Sequence, residues 1–308
     1  MTKDLLSIMD LSAEEMKQLF DLTADLKAKQ KRREPHAILA GKTLGMIFAK
    51  PSTRTRVSFQ VGIYQLGGVG LYLSGNDLQL GRGETIADTA KVLSRYLDGI
   101  MIRTFNHQDV VDLATNGTIP VINGLTDLLH PCQVLADMFT IQEKLGDYRG
   151  KKIVFVGDGA NNMANSWVEG AALGGMHLVI MAPEGHEPDS KILQATESAR
   201  ESSGGTYTFA DSTSSDMLKD ANVVYTDVWA SMGPEAEAAA RKAKMQPFQL
   251  NSEFMSKCKP DTLIMHCLPA HRGDEITDDV LDSANSIVFD EAENRLHVQK
   301  AIMATLME

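Results

Sequence analysis

Six polar clusters in this 308-residue chain carry residue types that could do chemistry. The most informative is Ser52-Thr53-Arg54-Thr55, within KPSTRTRVSF. Small hydroxyl residues at a helix start leave backbone N–H groups facing an incoming anion, and the helix dipole favours negative charge there. Arg54 and Arg56 add guanidinium forks that match phosphate oxygens. The same residues also fit an ordinary N-capped helix with surface arginines. The other clusters are Arg103, His130-Pro131-Cys132-Gln133, Asn161-Asn162, Asp227 through Gly233, and Cys267-Leu268-Pro269.

Several of these clusters admit more than one chemistry. GDGANN places Gly157 and Gly159 at the first two positions of a dinucleotide-binding fingerprint, but the third position falls on Asn162. A glycine there would allow close helix–strand packing, whereas asparagine offers an amide to a ligand. The hydride-transfer reading of a dehydrogenase is weakened accordingly. Cys267 reads either as a small buried hydrophobe or as one half of a Cys–His pair with His130, His266 or His271. No His, Cys or carboxylate spacing matches a metal cage, so no metal and no cofactor are expected.

The elements that must position these clusters alternate along the chain. Apolar runs read as strands at Thr43–Phe48, Gly99–Ile102, Ile119–Ile122, Lys152–Val156, His177–Met181, Thr206–Phe209, Val223–Thr226, Thr262–His266 and Ser286–Phe289. Helical patterns lie among them at Val57–Leu66, Thr85–Tyr96, Pro131–Leu145 and Met163–Leu173, with a last one over Glu291–Leu306. Before them all, Ser12 and Glu15 form a capping box ahead of an amphipathic run to about Lys27. Strands alternating with helices imply parallel sheets flanked by helices. In such sheets ligands bind at the carboxyl ends of strands, and all six clusters follow a strand. The expectation is an α/β protein of two domains, each a parallel sheet flanked by helices, with an active site in the cleft between them. The domains are expected at 1–146, to which the helix at about 291–308 returns, and at 147–290. LGDYRG marks the join.

Composition narrows the classes further. Apolar residues make up 43% and charged residues 23%, as in soluble globular proteins, and this excludes collagen-like and disordered chains. No apolar stretch approaches the roughly 18–20 residues that span a bilayer, and MTKDLLSIMD lacks a signal-peptide core, so a cytoplasmic protein is expected. The net charge of −11 argues against a nucleic-acid partner. The basic run Lys27–Arg33 reads as the solvated end of a helix. Cys132, Cys258 and Cys267 form no disulfide framework.

STRTR, HPCQ, DVWASMG and HCLPAHRG occur here in the order and with the gaps found in ornithine carbamoyltransferases, which the chain resembles from Leu5 to its last helix. The first two motifs are shared by transcarbamoylases of the aspartate/ornithine carbamoyltransferase family and imply carbamoyl phosphate. The last two point to ornithine. The resemblance implies that Ser52, Thr53, Arg54 and Thr55 hold the phosphate, and that Arg103, His130 and Gln133 contact the carbamoyl end. It implies that Gln79 reaches the phosphate in a neighbouring subunit's site. Asn162, Asp227, Ser231 and Met232 would bind L-ornithine, and Cys267, Leu268 and Arg295 would complete the site. Arg103, His130, Cys267 and Arg295 would serve catalysis, with direct amine attack and no covalent role for Cys267. A homotrimer, or an assembly of trimers, is implied as well. Rival readings are a transcarbamoylase for putrescine or acetylornithine, an NAD-dependent dehydrogenase, and a non-catalytic binding module.

Overall fold

Strand β1 (Thr43–Phe48) is apolar on both faces and buried from its second residue onward, the pattern of a parallel strand covered on both sides. It is the second strand of a four-stranded sheet in the computed structural model, which describes residues 3–75, 78, 83–229 and 235–308, the last stretch without the side chains of 235–239. The chain divides into two compact units, residues 1–139 with 293–308, and residues 140–292.

The first unit begins with α1 (Ala13–Arg32), whose Ser12 hydroxyl accepts from the Glu15 amide while the Glu15 carboxylate accepts from the Ser12 amide. This is the capping box expected from the sequence. After β1 come α2 (Thr53–Gln65), β2 (Val69–Ser74), α3 (Ile86–Leu93), β3 (Gly99–Arg103), α4 (His107–Asn116) and β4 (Val121–Leu125). The sheet order is β2-β1-β3-β4, all parallel. The first division then falls within α5 (Pro131–Leu145).

The second unit contains β5 (Lys152–Val156), α6 (Asn162–Gly174), β6 (His177–Met181), α7 (Ser190–Ala195), α8 (Glu197–Ser203) and β7 (Thr206–Ala210). It continues through α9 (Ser215–Leu218), β8 (Val223–Thr226), α10 (Glu235–Met245), α11 (Ser252–Met255), β9 (Leu263–His266) and α12 (Asp278–Leu281). Its five strands run parallel in the order β7-β6-β5-β8-β9. The last helix, α13 (Val288–Met307), crosses the second division and contributes its larger part to the first unit.

Several elements differ from the sequence expectation: α4 and α10 were not among the helices named, β4 runs over Val121–Leu125 where Ile119–Ile122 was expected, and two further differences have a clear physical reason. β2 was not foreseen: it is an edge strand whose Val69, Leu71 and Tyr72 are exposed, so it has no buried face to impose a period on its sequence. Ser286–Phe289 is not a strand. Ser286 makes an isolated bridge to Ile264, the Ile287 amide donates to the Ile264 carbonyl, and the chain then enters α13. A four-residue apolar run has no length with which to separate strand from helix. The basic run at the end of α1 is also only partly solvated, because Lys27 is buried and its Nζ donates to Asn294 Oδ1 at 2.6 Å.

Each sheet has a place where strand order reverses. In the first unit, β1 connects outward to β2 and the chain returns to β3 on the other side of β1. In the second, β5 leads out through β6 and β7 before the chain returns to β8 on the other side of β5. Ligands of open parallel sheets bind at such switch points. The polar clusters after β1 and β3 flank the first, and those after β5 and β8 flank the second.

Candidate active site

The first switch point is cationic. Ser52 caps α2, its hydroxyl accepting from the Thr55 amide at 3.2 Å, and the first turn of the helix contains no acidic residue. Thr53 and Arg54 lie in the turn whose amides point out of a helix without carbonyl partners, so this end attracts anions. The Arg54 side chain is half-buried. Arg56, offered by the sequence as a second fork, instead lies exposed over the ring of Tyr72 at 3.9 Å. Thr55 is fully buried, and its hydroxyl accepts from Arg295 Nη2 at 2.9 Å. That bond joins α2 to α13 across 240 residues of sequence.

His130 adds to this switch point. It directly precedes α5, is 5% exposed, and is held well below the usual histidine range. Burial is the main cause, followed by the positive charges of Arg295 and Arg103. The neutral imidazole therefore persists beside two guanidinium groups. Gln133, also buried, donates from Nε2 to Asp137 Oδ1 at 2.8 Å. Cys132 is no nucleophile, since burial pushes its thiol up to about 12 and its Sγ meets the Asn123 carbonyl at 3.4 Å.

The second switch point is built around a carboxylate. Asp227 follows β8 and takes the Val228 amide at 2.8 Å and the Cys267 thiol at 3.0 Å on Oδ1. Asn161 Nδ2 donates to Oδ2 at 3.5 Å. Burial raises the Asp227 carboxyl above the usual aspartate range against these donors and the influence of His266. Cys267 thus points its proton at a carboxylate, an arrangement for a donor and not for an attacking sulfur.

His266 is committed elsewhere. Its Nδ1 accepts from the Leu268 amide at 2.9 Å, which leaves the proton on Nε2 to donate to Glu275 Oε1 at 3.0 Å. Asp227, His266 and Cys267 offer ligand atoms within 4.8 Å of one another, the geometry of a metal site. With the histidine lone pair engaged by a backbone amide, however, the trio fits hydrogen bonding better than a cation. Leu268 holds φ +55, a left-handed conformation that costs a residue with a Cβ on the order of 1–3 kcal/mol and that is typical of functional sites. Glu291, buried, supports the segment from below by accepting from the His266 amide at 3.0 Å and from Tyr225 Oη at 3.2 Å.

The structure therefore gathers Ser52, Thr53, Arg54 and Thr55 with Arg103, His130, Gln133 and Arg295 in one unit, and Asp227, Cys267 and Leu268 in the other. Asn162 opens α6. Its neighbour Asn161, the cap of that helix, makes the bond to Asp227. Gln79, Ser231 and Met232 lie outside the described residues. Sequence reasoning missed Asn161 as a contact, although an asparagine before an apolar helical run is a capping signal. It also missed Asp158, whose Oδ1 lies 2.9 Å from His186 Nδ1 and whose Oδ2 lies 3.8 Å from Arg241. Gly157 and Gly159 serve packing here: a Cβ on Gly159 would stand 2.4 Å from the His186 carbonyl, and one on Gly157 3.0 Å from Trp229 Nε1.

Comparison with known proteins matches both parts of the chain to one family. Residues 3–143 match the carbamoyl-P binding domain of aspartate/ornithine carbamoyltransferase, and residues 149–306 match its Asp/Orn binding domain. The chain belongs to the aspartate/ornithine carbamoyltransferase family. Among members of that family, it is 56% identical to an ornithine carbamoyltransferase of Thermococcus kodakarensis, over 99% of this chain and 96% of the relative. It is 55% identical to one of Syntrophus aciditrophicus, with both chains fully covered. The solved ornithine carbamoyltransferase of Pyrococcus furiosus superposes with a TM-score of 0.95 at 55% identity, covering 99% of this chain and 96% of the other.

Proposed function

We propose that the protein transfers the carbamoyl group of carbamoyl phosphate to the δ-amine of L-ornithine, giving L-citrulline and phosphate, and serves arginine and citrulline metabolism in either direction. The observation that carries this is the buried neutral His130 beside Arg103 and Arg295, in the same unit as the α2 N-terminus. One small anion with a phosphate end and a carbonyl end fits that set.

In the proposed reaction Ser52, Thr53, Arg54 and Thr55 hold the phosphate, with Gln79 supplied by a neighbouring copy. Arg103 and His130 donate to the carbonyl oxygen as negative charge develops there, with Gln133, Cys267, Leu268 and Arg295 completing the pocket. Asn162, Asp227, Ser231 and Met232 bind the amino-acid end of ornithine. The δ-amine nitrogen bonds to the carbonyl carbon, the carbon–oxygen bond to phosphate breaks, phosphate leaves with the electron pair, and the nitrogen sheds one proton. Presenting a neutral alkyl amine at pH 7 costs about 4–5 kcal/mol from its ordinary pKa, and nearby arginines and a dry site lower that cost. Positioning two small substrates can contribute roughly 7–11 kcal/mol. No cofactor or metal enters this scheme.

Residues 1–146 with 291–308 form the carbamoyl-phosphate half in this reading and 147–290 the ornithine half. The exposed apolar Val69, Leu71 and Tyr72 of the edge strand β2 support assembly into a homotrimer or into trimers of higher order. No helix among the described residues is long and apolar enough to cross a membrane, and we propose a cytoplasmic location.

A colorimetric ureido assay with carbamoyl phosphate and, in parallel, L-ornithine, putrescine, N-acetylornithine and L-aspartate tests the function. Turnover with ornithine alone is expected. Turnover with another amine would sink the ornithine assignment, and none with any amine in the folded protein would sink the activity.

A further inference from the structure

Lys50 stands just before the anion loop, on the link between β1 and α2, and the proposed reaction gives it no role. Its side chain is 22% exposed. Nζ lies 4.2 Å from the centre of the Phe105 ring and forms an ion pair with Asp127 Oδ1. These three residues come from three different loops at the carboxyl edge of the first sheet: Lys50 after β1, Phe105 after β3 and Asp127 after β4. Backbone bonds run along the same line. The Ala49 amide donates to the Arg103 carbonyl at 2.9 Å, and the Asp127 amide donates to the Phe105 carbonyl at 2.8 Å.

The backbone turn that carries Asp127 is itself hydrogen-bonded. The Thr126 amide donates to the Leu129 carbonyl at 2.8 Å, and the Leu129 amide donates to Thr126 Oγ1 at 3.1 Å, closing a turn directly before His130. Pro51 restricts Lys50 from the other side by disfavouring helical backbone in the residue before it. One end of the Lys50 contact is therefore fixed to the loop that starts at Ser52, and the other to the turn that delivers His130.

We propose that Lys50 is a positioning residue, a strap across three loops that sets the distance between the anion-binding end of α2 and His130. The proposal rests on the reading above, in which one molecule is gripped at its phosphate by the first loop and at its carbonyl by His130. A ligand held at both ends requires that separation to be right, whereas a ligand held at one end does not. An ion pair to an aspartate as exposed as Asp127 adds little stability, so the effect is expected in binding and not in folding.

The test uses two ligands of the intact protein. Phosphonoacetamide presents a phosphonate and a carbamoyl end, and inorganic phosphate presents the first alone. Binding is measured by calorimetry for the wild type, Lys50→Met, Lys50→Arg and Asp127→Asn, with thermal melts as the check on folding. Lys50→Met is expected to weaken phosphonoacetamide by about tenfold, since small misplacements of a gripped ligand are expensive. Phosphate affinity should stay within about twofold on the same argument, and Lys50→Arg should restore most of the loss. Asp127→Asn should weaken phosphonoacetamide in the same direction. Equal loss of both ligands in Lys50→Met, or tighter phosphate binding in Asp127→Asn, would overturn the strap, because Lys50 would then be touching phosphate itself. Unchanged affinity for both would overturn it as well. Failure of the wild type to carbamoylate any amine, with this binding pattern intact, would refute the proposed reaction and leave the strap standing.

Discussion

The two switch points use burial in opposite directions. At the first, burial pushes a base down, so His130 stays neutral among arginines. At the second, burial pushes an acid up, so the Asp227 carboxylate is held at a cost by donors from Val228, Cys267 and Asn161. One physical cause, loss of water around a charge, leads at both places, and in the proposed reaction it suits one unit to an anion and the other to the ammonium group of an amino acid. In that reaction the cationic switch point gains when a phosphate arrives, and the anionic one gains when an amino acid arrives.

Breaking the halves one at a time should separate the two substrates. The largest effect is expected from Arg103→Met, which in the proposed reaction removes a donor to the developing oxyanion: kcat should fall about 100- to 1,000-fold with the fold retained. A loss of only a few fold in steady-state assays would remove Arg103 from the chemistry. Asp227→Asn should raise the KM for ornithine about 10- to 100-fold while that for carbamoyl phosphate changes little. Comparable rises for both would contradict the division between halves.

Smaller effects are read in pH. His130 stays a neutral imidazole with a single ring N–H near neutrality, so kcat/KM for carbamoyl phosphate should show no inflection from it around pH 6.5. Loss of the inflection on mutating His130 would show the opposite. For stability, an unfolded chain protonates this histidine near 6.5 while the folded one resists. The stabilising contribution present above that pH is therefore lost as pH falls toward the depressed folded value.

The smallest expected effect concerns α13, which carries Arg295. Lys300 on this helix is buried, with Nζ 2.9 Å from His36 Nε2 and 3.1 Å from Gln65 Oε1, and burial pushes it down to about 8 from 10.5. Between those two values the unfolded chain holds the extra proton. Stability from this group thus rises with pH through that window, by a few degrees in Tm. Lys300→Met should flatten the rise in thermal melts between pH 8 and 10.5. A rise of the same size in the variant would assign it to other groups.

Much of this was legible in the sequence because it is local. A strand followed by a capped helix is set by neighbouring residues, so Thr43–Phe48, Lys152–Val156, His177–Met181 and Val223–Thr226 appear as read, and Pro131–Leu145 is the helix its pattern predicts. Polar residues just past such strands fall together because parallel strands share one carboxyl edge. Arg295 came to the site through family resemblance, since nothing near position 295 announces Thr55 as its partner. The asparagine pair shows the limit of local reading. Two adjacent asparagines look equivalent in sequence, and only the helix start decides that Asn161 caps α6 and reaches Asp227.

What the sequence by itself determined is therefore the set of parts: two parallel α/β sheets, the capped start of α2, the asparagine pair, and the Asp227 and Cys267 segments. Tertiary structure decided the partners: Arg295 on Thr55, Lys27 on Asn294, Lys50 on Asp127, the edge strand β2, and the helical fate of Val288 and Phe289. The physical reason is range. Capping, periodicity and turn chemistry act within a few residues and leave marks in composition. Desolvation and ion pairing act between residues that only the folded chain brings together, and desolvation above all is what pushes His130 down and Asp227 up.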